Sequence, residues 1–262
     1  MNLSLEGRNA VICGSTQGIG LAVAVELALL GANCTLIARN KEALELAIQH
    51  LDIALRQQHS YLVADFSSPE QVQKVIASHL ENNIVHILIN NTGGPPSGPI
   101  TDASEADFLA AFNQHLLCNH ILVKAVVPSM KKEGFGRVIN IISTSVKVPL
   151  KNLGVSNTIR AAVAGWAKTM SNELGQYNIT VNNVLPGFTA TQRLTTLIDN
   201  MAKKGNTVVD IVEKNMMEEV PMKRFAQPEE VAAVAAFLAT PAASYVNGVS
   251  IAVDGGRTGT LS

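Results

Sequence analysis

Gly14, Gly18 and Gly20 punctuate the segment Cys13-Gly14-Ser15-Thr16-Gln17-Gly18-Ile19-Gly20, where an apolar strand hands over to an apolar helix. Glycines at this spacing suit a backbone bend tight enough to bring helix N–H groups against a diphosphate, with no Cβ in the way. Three glycines alone are a weak signal. Here Asn9–Cys13 reads as a buried strand and residues 21–30 are almost wholly apolar, so the glycines sit in a strand–turn–helix frame. The residues expected to face a dinucleotide are therefore Gly14, Ser15, Thr16, Gln17, Gly18, Ile19 and Gly20.

Strand-like apolar runs recur at 10–13, 34–38, 61–64, 84–90, 137–143, 180–185 and 249–253. Helical stretches fill the intervals at 19–30, 41–56, 69–81, 105–132, 156–177 and 228–238, and Pro69 and Pro228 stand where first helical turns begin. The strands are continuous apolar runs, which implies burial on both faces, and strand–helix alternation implies an α/β fold with a doubly wound parallel sheet. Residues 191–222 break the rhythm and read as a lid near the carboxyl end of the sheet.

Ligands of such sheets bind beyond the carboxyl ends of the strands. That rule selects Arg39 and Asn40, Asp65 and Phe66, the loop containing Asn91, Thr92 and Gly93, the loop 143–149, and Pro186, Gly187, Thr189 and Thr191. A carboxylate for the adenosine ribose is expected after the second strand, yet Ala38, Arg39 and Asn40 stand there. A guanidinium at that place suits a 2′-phosphate, so NADP is expected over NAD. The plainer reading leaves Arg39 capping the strand end in water. For Asp65 two readings stand side by side: it accepts from an adenine amino group, or it begins the turn before Ser67 and Ser68.

The chain has 262 residues, enough for one large core, with 47% hydrophobic and 16% charged residues and a net charge of −1. No concentrated basic patch suggests nucleic acid or an anionic membrane surface. The longest apolar stretch, residues 19–30, contains Glu26 and is too short to span a bilayer. Cys13, Cys34 and Cys118 lack metal-ligand spacing and read as reduced core residues, so a cytoplasmic protein without a metal site is expected.

Taken in order, these segments resemble the short-chain dehydrogenase/reductase family over nearly the whole chain. The likeness is carried by the 14–20 turn, by Asn90-Asn91-Thr92-Gly93 and by Asn140 through Ser143. It continues in Pro186-Gly187-Phe188-Thr189-Ala190-Thr191, which looks like the family's nicotinamide-binding segment, and in the tail ending Val253-Asp254-Gly255-Gly256. The nearest branch is that of the 3-oxoacyl-acyl-carrier-protein reductases. The resemblance implies one Rossmann-type domain over residues 1–262 with helices on both faces of the sheet. It also implies hydride transfer between NADP(H) and a small carbonyl or alcohol, and a homo-oligomer, dimer or tetramer, formed through the helices at 105–132 and 156–177.

The family pairs a serine with Tyr-x-x-x-Lys thirteen residues later and an asparagine on the preceding long helix. Ser143 holds the serine position, but Ser156 and Arg160 fall where tyrosine and lysine belong, and His115 falls on the asparagine. Carbonyl reduction leaves an alkoxide that needs a proton. A serine hydroxyl is far less acidic than a phenol, and Arg160 does not release its proton near neutrality. Lys147, bordering the substrate loop, and His115 are the candidate replacement donors; the plainer readings make them a solvated loop charge and a helix-packing residue. Arg160 binds ribose hydroxyls or a substrate carboxylate on this reading, and an already protonated imine is a further substrate type. The alternative class is a catalytically impaired nucleotide-binding subunit with a regulatory or structural role.

Overall fold

A computed structural model describes residues 1–260. In chain order the elements are β1 (Asn9–Cys13), α1 (Gly18–Leu29), β2 (Asn33–Ala38), α2 (Lys41–Ile48), β3 (Ser60–Val63), α3 (Pro69–Leu80) and β4 (Ile87–Asn90). They continue with α4 (Glu105–Phe112), α5 (Cys118–Glu133), β5 (Gly136–Ile141), α6 (Gly154–Leu174) and β6 (Ile179–Pro186). The last are α7 (Gln192–Lys204), α8 (Val209–Glu218), α9 (Pro228–Ala239) and β7 (Ser250–Val253). The strands form one parallel sheet of seven in the order β3-β2-β1-β4-β5-β6-β7. Strand order reverses between β1 and β4, which opens a crevice at their carboxyl ends.

Both faces of the sheet are covered, as the continuous apolar runs require. Ala10 and Ile12 of β1 pack with α1, α2 and α9, while Val11 and Cys13 pack with α3, α5 and α6. The three cysteines are free and buried, and burial raises the thiols of Cys34 to about 12 and Cys118 to about 11. Among the described residues, no helix is long and apolar enough to cross a membrane.

Local contacts moved several boundaries. The helix expected over 41–56 stops at Ile48, because the chain beyond it is tied back to β2 and α1. His59 Nδ1 accepts from the Cys34 amide, and Gln57 Nε2 donates to the Ala28 carbonyl. The strand expected over 84–90 begins only at Ile87, since the chain at 84 to 86 bonds to Asn9 instead: Asn9 Nδ2 donates to the Ile84 carbonyl, and His86 Nδ1 accepts from the Asn9 amide. The strand expected to reach Ser143 ends at Ile141, and Ser143 starts a short turn by accepting from the Ser145 amide.

The single helix expected over 105–132 is two, α4 and α5, joined by a π-turn at Asn113–Leu117. An extra residue in a turn shifts everything beyond it around the helix axis, which re-aims His115. The lid is ordered as α7 and α8, closed on each other through Leu194, Ile198, Val212 and Met216 with Phe188 and Phe225 at the edge.

Candidate active site

The glycine turn is held by contact between two backbones. Gly14 has φ +58°, and a Cβ there would lie 2.5 Å from the Asn91 carbonyl oxygen. A Cβ on Gly20 would press on the Gly14 carbonyl and lie 2.6 Å from Asn91 Nδ2. Asn91 closes the arrangement by donating through Nδ2 to the carbonyls of Cys13 (3.2 Å) and Gly14 (3.1 Å). Gln17 precedes α1 in extended backbone and gives it no side-chain cap, so the first helical amides face outward without a protein acceptor on that side chain. This cradle fits a diphosphate, because both the space and the donors are present and only glycine is tolerated there. Thr16 and Gln17 remain at its surface, while Ser15 is fully buried and donates to the Ile12 carbonyl, so its hydroxyl holds the turn.

Past β2 and β3 lies a groove of about 570 Å³ bounded by Arg39, Asn40, Lys41, Asp65 and Gln71 among others. Arg39 is exposed there. The Asp65 carboxylate lies below its ordinary range, chiefly because the Ser67 amide donates to it, with Arg39 adding to the effect. Asp65 therefore starts the turn before Ser67 and Ser68, and it also borders the groove. Asn40 Oδ1 caps α2 by accepting from the Ala43 amide. Phe66 departs from expectation: its side chain is buried in the core and its carbonyl accepts from the Cys118 thiol. Apolar burial outcompetes any approach of that ring to the groove.

The central cavity, about 200 Å³, lies between the carboxyl ends of the middle strands and the lid. Ser143, Ser156 and Arg160 line it together, and Thr92, Gly187, Thr189 and Thr191 border it. Gly187 donates its amide to Val253, and Thr191 faces Gly18 across the turn. Ile142, Leu150, Leu153 and Leu194 give the cavity an apolar side, and among the described residues no Asp or Glu lines it.

Ser156 is buried, and no hydrogen bond of its hydroxyl to a described residue is present, so it faces the cavity with its donor uncommitted. Arg160, one turn further along α6, donates from Nη1 to the Ile141 carbonyl (3.0 Å) and from Nη2 to the Thr92 carbonyl (3.5 Å). Burial, reinforced by the nearby Arg193, lowers its guanidinium to about 10, which still leaves it charged at neutral pH.

Two candidate donors do not join this group. His115 lies behind the cavity wall, with Nδ1 bonded to Thr92 Oγ1 at 2.5 Å and Nε2 buried without a partner among the described residues. Burial first, then Arg160 and Arg193, pushes the imidazole down to about 3. It is neutral at physiological pH, which overturns the expectation that it titrates usefully. Lys147 follows the turn Thr144–Val146 and does not line the cavity.

Two features escaped the sequence reading. Arg193, two residues past Thr191 on the lid, reaches over Gly94 and donates to the carbonyls of Gly94 (2.8 Å) and Pro95 (3.4 Å). A cation just after a nucleotide-facing segment was the available signal. The other is a buried amide ladder across the sheet, running Asn90 to Asn140 (2.8 Å), Asn140 to Asn183 (3.0 Å) and Asn183 to Ser250 (3.0 Å). Asparagines inside otherwise apolar strands announced it, but only register shows that they meet.

Comparison with known proteins agrees with this geometry. Residues 14–258 match the family model described as enoyl-(acyl carrier protein) reductase. The NADPH-dependent reductase BacG of Bacillus subtilis (strain 168) is 33% identical over 252 residues, covering 95% of this chain and 97% of that protein. The 3-oxoacyl-[acyl-carrier-protein] reductase FabG of Chlamydia trachomatis is 31% identical over 256 residues, covering 96% and 98%. L-sorbose reductase from Gluconobacter frateurii, solved with NADPH and L-sorbose, superposes with a TM-score of 0.93 at 30% identity over 100% of both chains. With the glycine cradle, the sheet order and these likenesses in agreement, the chain belongs to the short-chain dehydrogenase/reductase family.

Proposed function

We propose that this protein is an NADP-dependent oxidoreductase that reduces a small carbonyl compound through a serine-based site. The observation that carries the reading is the continuity of the glycine cradle with the cavity holding Ser143, Ser156 and Arg160, so that a dinucleotide seated at Gly14, Gly18 and Gly20 ends beside those three side chains. The NADPH-dependent relatives support the cofactor. Arg39 in the open groove supports NADPH over NADH, because a guanidinium pairs with a 2′-phosphate through charged hydrogen bonds. When bound, NADPH supplies the hydride.

The chain's own residues have three tasks left. Ser143 donates to the carbonyl oxygen and orients it. Arg160 sets a fixed positive charge beside the oxygen on which negative charge develops, in a site where burial strengthens that attraction. Ser156 passes a proton from water to the alkoxide, taking one as it gives one; its own acidity is too weak for it to be the net acid. The sum is carbonyl plus NADPH plus one solvent proton giving alcohol plus NADP.

We also read residues 1–262 as one domain and the protein as a cytoplasmic homo-oligomer, a tetramer, assembled through α4, α5 and α6. Apolar side chains such as Leu109 and Phe112 are exposed on α4 and suit such a contact. Sedimentation at the mass of one chain would refute the assembly. NADPH fluorescence titration, followed by oxidation assays over aldehydes, ketones and imines, tests the chemistry. Binding with turnover of a carbonyl is the expected result; binding with no turnover of any of them would favour a regulatory subunit.

A further inference from the structure

Among the described residues, two arginines in the cavity have no anionic partner. Arg160 is 8% exposed and spends its bonds on two neutral carbonyls, which leaves three of its five N–H groups unmatched within the described protein. Arg193 also donates only to carbonyls, and it lies near enough to Arg160 to depress that group's basicity. The third arginine of the same cavity shows what a completed one looks like. Arg257 is ion-paired to Glu219 at 2.7 Å and stacked over Phe188 at 4.0 Å. The buried charge of Arg160 is costly unless paired, and the like charge of the exposed Arg193 beside it adds to that cost.

The cofactor's own anions have places elsewhere. On the reading above, the amides at the start of α1 would hold the diphosphate and Arg39 the 2′-phosphate, in a groove that Arg160 does not line. Arg160 is anchored instead to Ile141, the last residue of β5, and to Thr92, past the end of β4, one helical turn from Ser156. We infer that the substrate brings the missing anion: it is a carbonyl compound bearing a free carboxylate, held between the Arg160 and Arg193 guanidinium groups. This rests on the reductase reading above and names the substrate class of that site. The rest of the substrate is short and apolar, because Ile142, Leu150, Leu153 and Leu194 form the opposite wall of a cavity of about 200 Å³. With a 2-oxo or 3-oxo acid, one guanidinium reaches both the carboxylate and the neighbouring carbonyl oxygen through its fork of donors.

The test uses four probes, 2-oxohexanoate, 3-oxohexanoate and the methyl ester of each. Binding to the NADP-loaded protein is followed by calorimetry, and NADPH oxidation is measured in parallel. At least one acid is expected to bind and to be reduced with a kcat/KM roughly 10- to 100-fold above its ester, the span of one charge-assisted contact. Arg193→Gln, at an exposed position, is expected to lower kcat/KM for the acid toward that of its ester, with NADPH affinity measured in parallel by fluorescence titration. Arg160→Lys keeps the charge and is expected to retain part of it. An ester turned over as well as its acid would overturn the inference and leave the reductase reading standing. An acid that binds without being reduced would do the reverse. Absence of acid binding, or an Arg193→Gln variant that loses NADPH as strongly as it loses acid, would overturn the inference.

Discussion

Thr92 ties His115 to Arg160: its hydroxyl meets His115 Nδ1 at 2.5 Å, and its carbonyl accepts from Arg160 Nη2 at 3.5 Å. Thr92, two residues past the end of β4, thus fixes the histidine's ring and the arginine's fork. His115 supports the site from behind as a neutral, buried group, and Arg160 supplies the charge. The histidine's burial and the arginine's nearness act in the same direction on its protonation.

That coupling predicts a pH dependence of stability. The His115 imidazole is depressed from 6.5 to about 3 on folding, so the unfolded chain binds its proton first as pH falls. Stability is present above pH 6.5 and is lost below it, continuing toward pH 3. From pH 7.5 to 5.0 this one group accounts for about 2 kcal/mol at roughly 1.4 kcal/mol per pH unit. His115→Asn should lose correspondingly less over that interval in urea unfolding. Equal losses in both proteins would exclude His115 as the source.

The glycine cradle predicts a steric failure. Gly20→Ala places a methyl against the Gly14 carbonyl and Asn91 Nδ2, neither of which has room to retreat. Overpacking of this type costs about 1–3 kcal/mol, so a lower Tm is expected together with at least tenfold weaker NADPH binding. An unchanged NADPH Kd in a folded variant would contradict the cradle.

Cofactor choice should turn on Arg39. Arg39→Ala is expected to weaken NADPH by about 10- to 100-fold, in keeping with loss of a charge-assisted hydrogen bond, while NADH affinity stays within about threefold because it lacks the phosphate. Fluorescence titration with both nucleotides measures this. Parallel losses for the two would assign Arg39 to the strand end instead.

Proton delivery should divide the polar candidates. Ser156→Ala is expected to lower kcat by about 10- to 100-fold with KM little changed, as for a group that acts in the transition state. Lys147→Ala, at a position outside the cavity lining, should leave kcat within about twofold. The opposite order would return the donor role to Lys147.

How much of this was legible depends on the range of the interaction involved. The 14–20 turn, the doubly wound sheet and the helix starts at Pro69 and Pro228 were readable, because glycine permissiveness, two-sided burial and proline's fixed φ act within a few residues. The early end of α2 was not, because the bonds responsible join Gln57 and His59 to residues about 25 to 29 positions away. The π-turn at Asn113–Leu117 was equally hidden, since its residues read as ordinary helix formers.

The sequence by itself determined the family, the sheet and the line of residues at its carboxyl edge, with Ser156 and Arg160 at the places where the family resemblance led us to expect tyrosine and lysine. Only the tertiary structure decided which of those residues share a cavity. It set Ser143, Ser156 and Arg160 there, put His115 behind the wall in a neutral state, and brought Arg193 from the lid to stand beside Arg160. The physical reason is that burial and Coulomb interaction depend on distances across the fold, and residues 68 positions apart, such as Thr92 and Arg160, meet only once strands and lid are assembled.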